Sequence, residues 1–144
     1  KIKKSDDAMS LYLKISKESS KQIELFFPDL LKNNLKKIKQ NKLDANNWRK
    51  RSLKDGKIDW RMSAESIYNL VRSITHPYVG SHIDYLGQKI KIWKVEIVID
   101  KRKNIEPGKV TSVEQNNFVV KAGDNAIKVY DYEPNFKVSK GDYL

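Results

Sequence analysis

Residues 58–93 read IDWRMSAESIYNLVRSITHPYVGSHIDYLGQKIKIW, and the hydrophobic period changes inside this run. Ile58-Asp59-Trp60 opens it as a short strand-like segment. Ala64, Ile67, Leu70, Val71 and Ile74 recur at the spacing of one helical face, and Ser63 stands where an N-cap belongs. Thr75-His76-Pro77 stops that helix, because proline disfavours helical geometry in the residue before it. Beyond Pro77 the period is two. Residues 81–85 and 89–97 read as strands joined at Leu86-Gly87-Gln88. A helix followed by a hairpin is a folding nucleus and does not by itself name a function.

Toward the C-terminus, residues 100–104 form a charged loop and Pro107-Gly108 a turn. Residues 109–113, 118–121 and 126–132 are three more strands, joined by turns at 114–117 and 122–125. Five short strands, mostly antiparallel, with one helix suggest a small, partly open barrel. In the first strand Ser81, Ile83 and Tyr85 alternate with His82 and Asp84, so His82 is expected to face solvent. Tyr85 and Trp93 only partly share parity with the core positions Ile83, Ile90 and Ile92. Core packing is preferred for both; the other reading has them stack bases beside Lys91 and Lys94.

Toward the N-terminus, Ala8, Leu11, Tyr12, Ile15, Ile23, Phe26, Phe27, Leu30 and Leu31 make one helical stripe, or two helices broken near Ser19-Ser20. Asp6-Asp7 suit its start through capping and the helix dipole. Pro28 is expected to kink it or to begin a new turn. The stripe is bulky and needs a surface to cover. Residues 33–57 read as a polar linker with turn signals at Asn46-Asn47 and Asp55-Gly56, and Trp48 is expected to anchor it by packing. Arg72 sits near the apolar face of the central helix and needs a partner, Asp59 or Glu65.

The formal net charge is +11, unevenly spread. Residues 1–54 hold 15 Lys/Arg against 6 Asp/Glu, and residues 55–144 hold 14 against 12. An anionic partner such as tRNA or a nucleotide-linked sugar is one reading. A lysine-rich solvated surface is the other, and it is preferred. Within the linker, Arg49, Lys50 and Arg51 are the candidate phosphate-binding residues, since alternate positions of an extended chain face the same way.

Other classes find little support. No apolar run approaches the ~20 residues of a membrane-spanning helix, and the basic residues 1–4 are not followed by the apolar stretch of a signal peptide. The absence of cysteine removes disulfides and thiolate metal sites, which suits the cytoplasm. His76 and His82 are the only histidines; with no carboxylate cluster beside them, no metal site is expected.

A family resemblance covers most of the chain. The ordered string Asp55-Gly56, Ile58-Asp59-Trp60, Ser63-Ala64, Ile67-Tyr68-Asn69-Leu70-Val71-Arg72, Pro77-Tyr78-Val79-Gly80 and Ile92-Trp93-Lys94 resembles the linker and C-terminal domain of the formyltransferases. These enzymes move a formyl group from 10-formyltetrahydrofolate to a primary amine. The IYNLVR and PYVG segments look closer to the sugar N-formyltransferases than to methionyl-tRNA formyltransferase, and so does the ending from Phe136 to Leu144. The segment DDAMSLYLKI at residues 6–15 resembles the helix that closes the family's N-terminal Rossmann-like domain.

The resemblance implies an α+β chain in three parts: a helical segment, 1–41, ending a catalytic domain; a basic linker, 42–60; and an OB-like barrel domain, 61–144. It implies part of a cytoplasmic transferase acting on a nucleotide-linked amino sugar, with methionyl-tRNA as the alternative acceptor. A stand-alone basic nucleic-acid-binding module is the reading from another class. The partner implied is an upstream Rossmann-like catalytic domain holding the 10-formyltetrahydrofolate pocket; a homo-oligomer is compatible with it. The family's Asn, His and Asp loop has no counterpart here, and His76-Pro77 lacks the Leu-Pro that should follow. No catalytic residue is therefore assigned, and this chain alone is expected to be inactive.

Overall fold

The computed structural model describes residues 1–144. Helix α1 runs from Ala8–Leu31, helix α2 from Ala64–Ile74, and the strands are β1 (Ser81–Tyr85), β2 (Gln88–Val98), β3 (Val110–Glu114), β4 (Asn117–Lys121) and β5 (Ala126–Glu133). Two short 3₁₀ turns, Lys42–Asp44 and Leu53–Gly56, punctuate the segment between the helices. The strands form one sheet in the order β1-β2-β5-β4-β3, with every neighbouring pair antiparallel. This is the α+β architecture expected from the change of period at Pro77.

The α2 helix starts where Ser63 predicts. The Ser63 hydroxyl accepts from the Ser66 amide at 3.1 Å, and the Ala64 amide donates to an Asp124 carboxylate oxygen at 2.7 Å. The second bond ties the helix N-terminus to the β4–β5 turn. That turn is locked from beneath by Lys121, whose buried ammonium donates to the carbonyls of Asp100 and Asp124 at 2.7 and 2.8 Å. Ala64, Ile67 and Val71 are buried against the sheet. At the other end, the Thr75 hydroxyl donates to the Trp93 carbonyl at 3.1 Å.

Strand β2 carries a bulge. Its register against β5 slips between Ile92, Lys94 and Val95. Ile90 and Ile92 face the core before the slip and Val95 after it, so the alternation restarts one residue out of step. Trp93 falls on the extra residue. It turns away from the sheet core and stacks on His76 with ring centroids 3.9 Å apart. The ring crosses Gly80 so closely that a Cβ there would lie 2.7 Å from it, and Gly80 has φ +79. The bulge is why simple parity could not settle where Trp93 faces.

Between the free edges β1 and β3 runs the C-terminal tail. Its amides and carbonyls pair with the start of β3: Val110 donates to Asp142, Gly141 to Val110, and Leu144 to Gly108, at 2.8 to 3.0 Å. The Tyr85 hydroxyl reaches from β1 to Asp142 at 2.9 Å. Inside this seam Phe136 meets Tyr85, Phe118 and Tyr132 edge-on, with centroids 5.5 to 5.6 Å apart. The tail thus fills the opening that the five strands leave.

Three expectations require correction, and one choice between two readings is decided. His82 is buried, not solvent-facing. The chain at Lys57 and Ile58 lies alongside β1 through a parallel bridge, with the Ile58 amide donating to the His82 carbonyl at 2.9 Å, and covers what would be an outer face. The N-terminal stripe is a single helix, not two broken at Ser19-Ser20. It continues past Pro28 for one more turn and ends at Asn33 and Asn34, whose amides return to Leu30 and Asp29 at 3.0 and 2.9 Å. Trp48 anchors nothing: it is 81% exposed, and its indole N–H donates only to nearby Asn46. Arg72 pairs with neither Asp59 nor Glu65. It reaches Asn69 and the backbone carbonyl of Asp6, so α1 is not wholly separate from the barrel.

Two measurements check this packing. Phe118 is fully buried against the rings of Tyr132 and Phe136, so Phe118→Ala should cost about 3–5 kcal/mol in urea unfolding. Leu25→Ala, on the uncovered face of α1, should stay within about 0.5 kcal/mol. Burial and the nearby Lys89 hold the His82 imidazole below its ordinary pKa, against the weaker pull of Asp84. The unfolded chain therefore binds that proton more readily than the folded one. Stability contributed by neutral His82 is complete above about pH 6.5 and is lost on acidification. Urea midpoints should fall between about pH 7.5 and about pH 5, and His82→Gln should flatten that fall.

Candidate functional site

The basic linker reaches the barrel through a small knot. Asp55 accepts from the Ser52 amide at 2.6 Å and completes a capping box over the turn Leu53–Gly56. The same carboxylate takes both terminal nitrogens of Arg49, one of them at 2.9 Å, and this pairing holds its pKa well below the ordinary carboxylate range. Gly56 then passes so close to α2 that a Cβ would lie 3.0 Å from Ile74. Lys57 pairs with Asp84 on β1 at 2.8 Å.

This knot forms one wall of a cleft of about 490 Å³. Leu53 lies on that wall, with Leu70 and Ile74 from α2 and the exposed Tyr78 and Val79 from the loop after it. Arg51 stands at the rim. A second groove, of about 760 Å³, separates α1 from α2 and shares Leu70, Ser73 and Tyr78 with the first. An apolar floor with one cation at its edge is suited to binding, through burial and a single charge-assisted contact.

The three candidate phosphate-binding residues are therefore not equivalent. Arg49 is committed to Asp55. Lys50 and Arg51 are exposed and enter no ion pair, and only Arg51 lines the cleft. The structure does not bring the three into one clamp. The spacing Ser52-x-x-Asp55 was the signal that could have exposed Asp55 as the partner of Arg49.

The remaining candidates are occupied by packing. His76 lies on Trp93, and His82 is enclosed with its Nδ1 unpaired. Trp93 is 6% exposed, with Lys91 5.2 Å from its ring, and the Tyr85 hydroxyl is bonded to Asp142. No group of three or more His, Cys, Asp or Glu could hold a metal ion, and no helix is long and apolar enough to cross a membrane.

The outer face of α1 is of another kind. Ile23, Leu25, Phe26, Phe27, Leu30 and Leu31 are all exposed, and no residue of this 24-residue helix is buried.

Known proteins share both the sequence pattern and the fold. The family described as formyl transferase, C-terminal domain, matches residues 50–139. The bifunctional polymyxin resistance protein ArnA of Wigglesworthia glossinidia brevipalpis is 36% identical over 76% of this chain and 16% of its own length. The methionyl-tRNA formyltransferase of Halothermothrix orenii is 31% identical over 92% of this chain and 43% of its own length. That of Halalkalibacterium halodurans is 34% identical over 90% and 40%. The chain thus spans less than half the length of the curated relatives it matches. Among solved structures, a variant of HypX from Aquifex aeolicus aligns over 86% of this chain and 22% of its own, with TM-score 0.66 and 14% identity. HypX in complex with tetrahydrofolic acid aligns over 72% and 18%, with TM-score 0.55 and 14% identity. The match to the family over residues 50–139 places this chain among the formyltransferase C-terminal domains.

Proposed function

We propose that this chain is the C-terminal region of a formyltransferase that moves a formyl group from 10-formyltetrahydrofolate to the amine of a nucleotide-linked amino sugar. The observation that carries the reading is α1. A helix with bulky apolar residues and no buried one is built to cover a surface that residues 1–144 do not supply. An upstream Rossmann-like catalytic unit is the occupant, since the relatives extend well beyond the part matched here. Residues 1–41 then close that unit, residues 42–60 are the linker, and residues 61–144 are the accessory barrel. The folate donor belongs to the upstream unit; the tetrahydrofolic acid complex of HypX supports a folate-type cofactor for the family. The whole enzyme is cytoplasmic on this reading.

The amino-sugar acceptor is supported by the IYNLVR and PYVG segments. Methionyl-tRNA is the second reading, favoured by the two relatives that carry that name. Of the unpaired linker cations, Arg51 is the one that lines the cleft and stands ready for an acceptor phosphate.

The chain incubated with 10-formyltetrahydrofolate and a panel of nucleotide-linked amino sugars, or with methionyl-tRNA, should yield no formylated product by mass. Turnover abolished by His76→Ala or His82→Ala would contradict the placement of chemistry upstream. Replacing Arg49, Lys50 and Arg51 together with Gln should weaken acceptor binding by less than about tenfold at low salt; a larger loss that shrinks as salt rises would mark a phosphate clamp.

A further inference from the structure

We infer that Arg72 is a positioning residue that sets the angle between α1 and the barrel. Among all hydrogen bonds and ion pairs, one alone joins α1 and its flanking turns, residues 1–34, to the rest of the chain: the Arg72 Nη1 donates to the Asp6 backbone carbonyl. Everything else between α1 and α2 is the open groove of about 760 Å³, flanked by Leu11, Tyr12 and Ile15 on one side and Met62, Leu70 and Tyr78 on the other. A joint with so little packing takes its direction from its polar contact.

Both sides of that contact are held rigid. The guanidinium lies 5.7 Å from the Tyr68 ring centroid, and its Nε donates to Asn69 Oδ1 at 2.8 Å. These two neighbours on α2 fix the plane of the fork and leave Nη1 aimed at α1. A lysine, with a single rotating ammonium, cannot hold both partners in one plane. On the opposite side, the Asp6 carboxylate is 7% exposed residue-wide and gathers its own surroundings. It accepts from Lys14 Nζ at 2.7 Å on each oxygen, from the Lys3 amide at 2.7 Å and from the Ser10 hydroxyl at 3.2 Å. The turn before α1 is therefore tied to the helix's second turn. Its carbonyl cannot swing without moving the helix axis. The lysine beside it keeps the Asp6 carboxyl at about 2, so the knot stays charged throughout the neutral range.

The consequence for catalysis rests on the reading above: where α1 closes an upstream catalytic unit, Arg72 sets that unit's orientation toward the cleft at Arg51 and Tyr78. The latch itself belongs to residues 1–144 and is tested there, independently of any formyl transfer.

The chain has no cysteine, so two can be introduced without background. Spin labels at Lys17→Cys on α1 and Gln115→Cys on the β3–β4 turn report the angle as a distance distribution. The expected result is a single narrow distance in the otherwise unchanged chain, and loss of that narrow peak in Arg72→Ala, with the far-ultraviolet spectrum and melting midpoint of the barrel retained. Arg72→Lys should restore the barrel's charge but not the narrow peak. A distribution that is broad before any change at Arg72, or that stays narrow in Arg72→Ala, overturns the inference. Should Arg72→Ala fail to fold, Asn69→Ala decides: it frees the fork from its plane, so a broadened peak supports the latch and an unchanged one overturns it.

Discussion

The bulge in β2 between Ile92 and Val95 is the constraint on which the barrel depends. The register slips at Trp93 on β2 and slips back at Tyr130 on β5, so that Ile90, Ile92 and Val95 all reach the core although their spacing is not regular. The residue displaced, Trp93, becomes the floor for the chain leaving α2. His76 stacks on it, Thr75 bonds its carbonyl, and Gly80 crosses its ring with no room for a side chain. The direction in which the chain returns from α2 into β1 is thereby fixed. That in turn places Ile58 beside His82 and draws the basic linker against the mouth of the cleft. One local irregularity in the β2–β5 ladder thus couples the sheet, the helix and the linker.

The charge on this chain is better understood through its partners than through its sum. Arg49, Arg61 and Arg102 each fold back onto a nearby aspartate, at Asp55, Asp59 and Asp100. Such pairs order turns and leave little field for a distant anion. On β2, Lys91 reaches Glu133 and lies near the Trp93 ring. At the apolar cleft between the linker and α2, the cation left without an ion pair is Arg51. A binding role centred on one cation and an apolar floor fits an accessory domain that contacts part of an acceptor, with the reacting atoms held elsewhere.

Much of this was legible in the residues. The period change at Pro77 gave α2 to the residue and placed all five strands within one or two positions, because both patterns are strong and each is bounded by proline or glycine turns. The string running from Asp55 to Lys94 gave the family. The errors share one cause. The fate of His82 and Arg72 depends on segments far away in sequence: residues 57–58 cover His82, and Asp6 receives Arg72. Local alternation cannot see a covering strand or a slipped register. Trp48 failed for the opposite reason: an aromatic was expected to pack, but the linker around it offers nothing to pack on.

Helix α1 states the central claim in physical form. It is well capped at Asp7 and at Asn33-Asn34, yet nothing is buried along its 24 residues. A helix held mainly by its own hydrogen bonds is marginal in water, and most helical stability in proteins comes from covering an apolar face. Residue-resolved hydrogen exchange on residues 1–144 tests this most directly. Amides of α2, β2, β4 and β5 should exchange slowly through opening of the whole barrel, while those from Ile23 to Leu31, beyond the turns tied to Asp6, should exchange quickly and independently. Protection of α1 equal to that of the barrel would contradict the account, since it would mean that the helix already has the surface it was argued to lack.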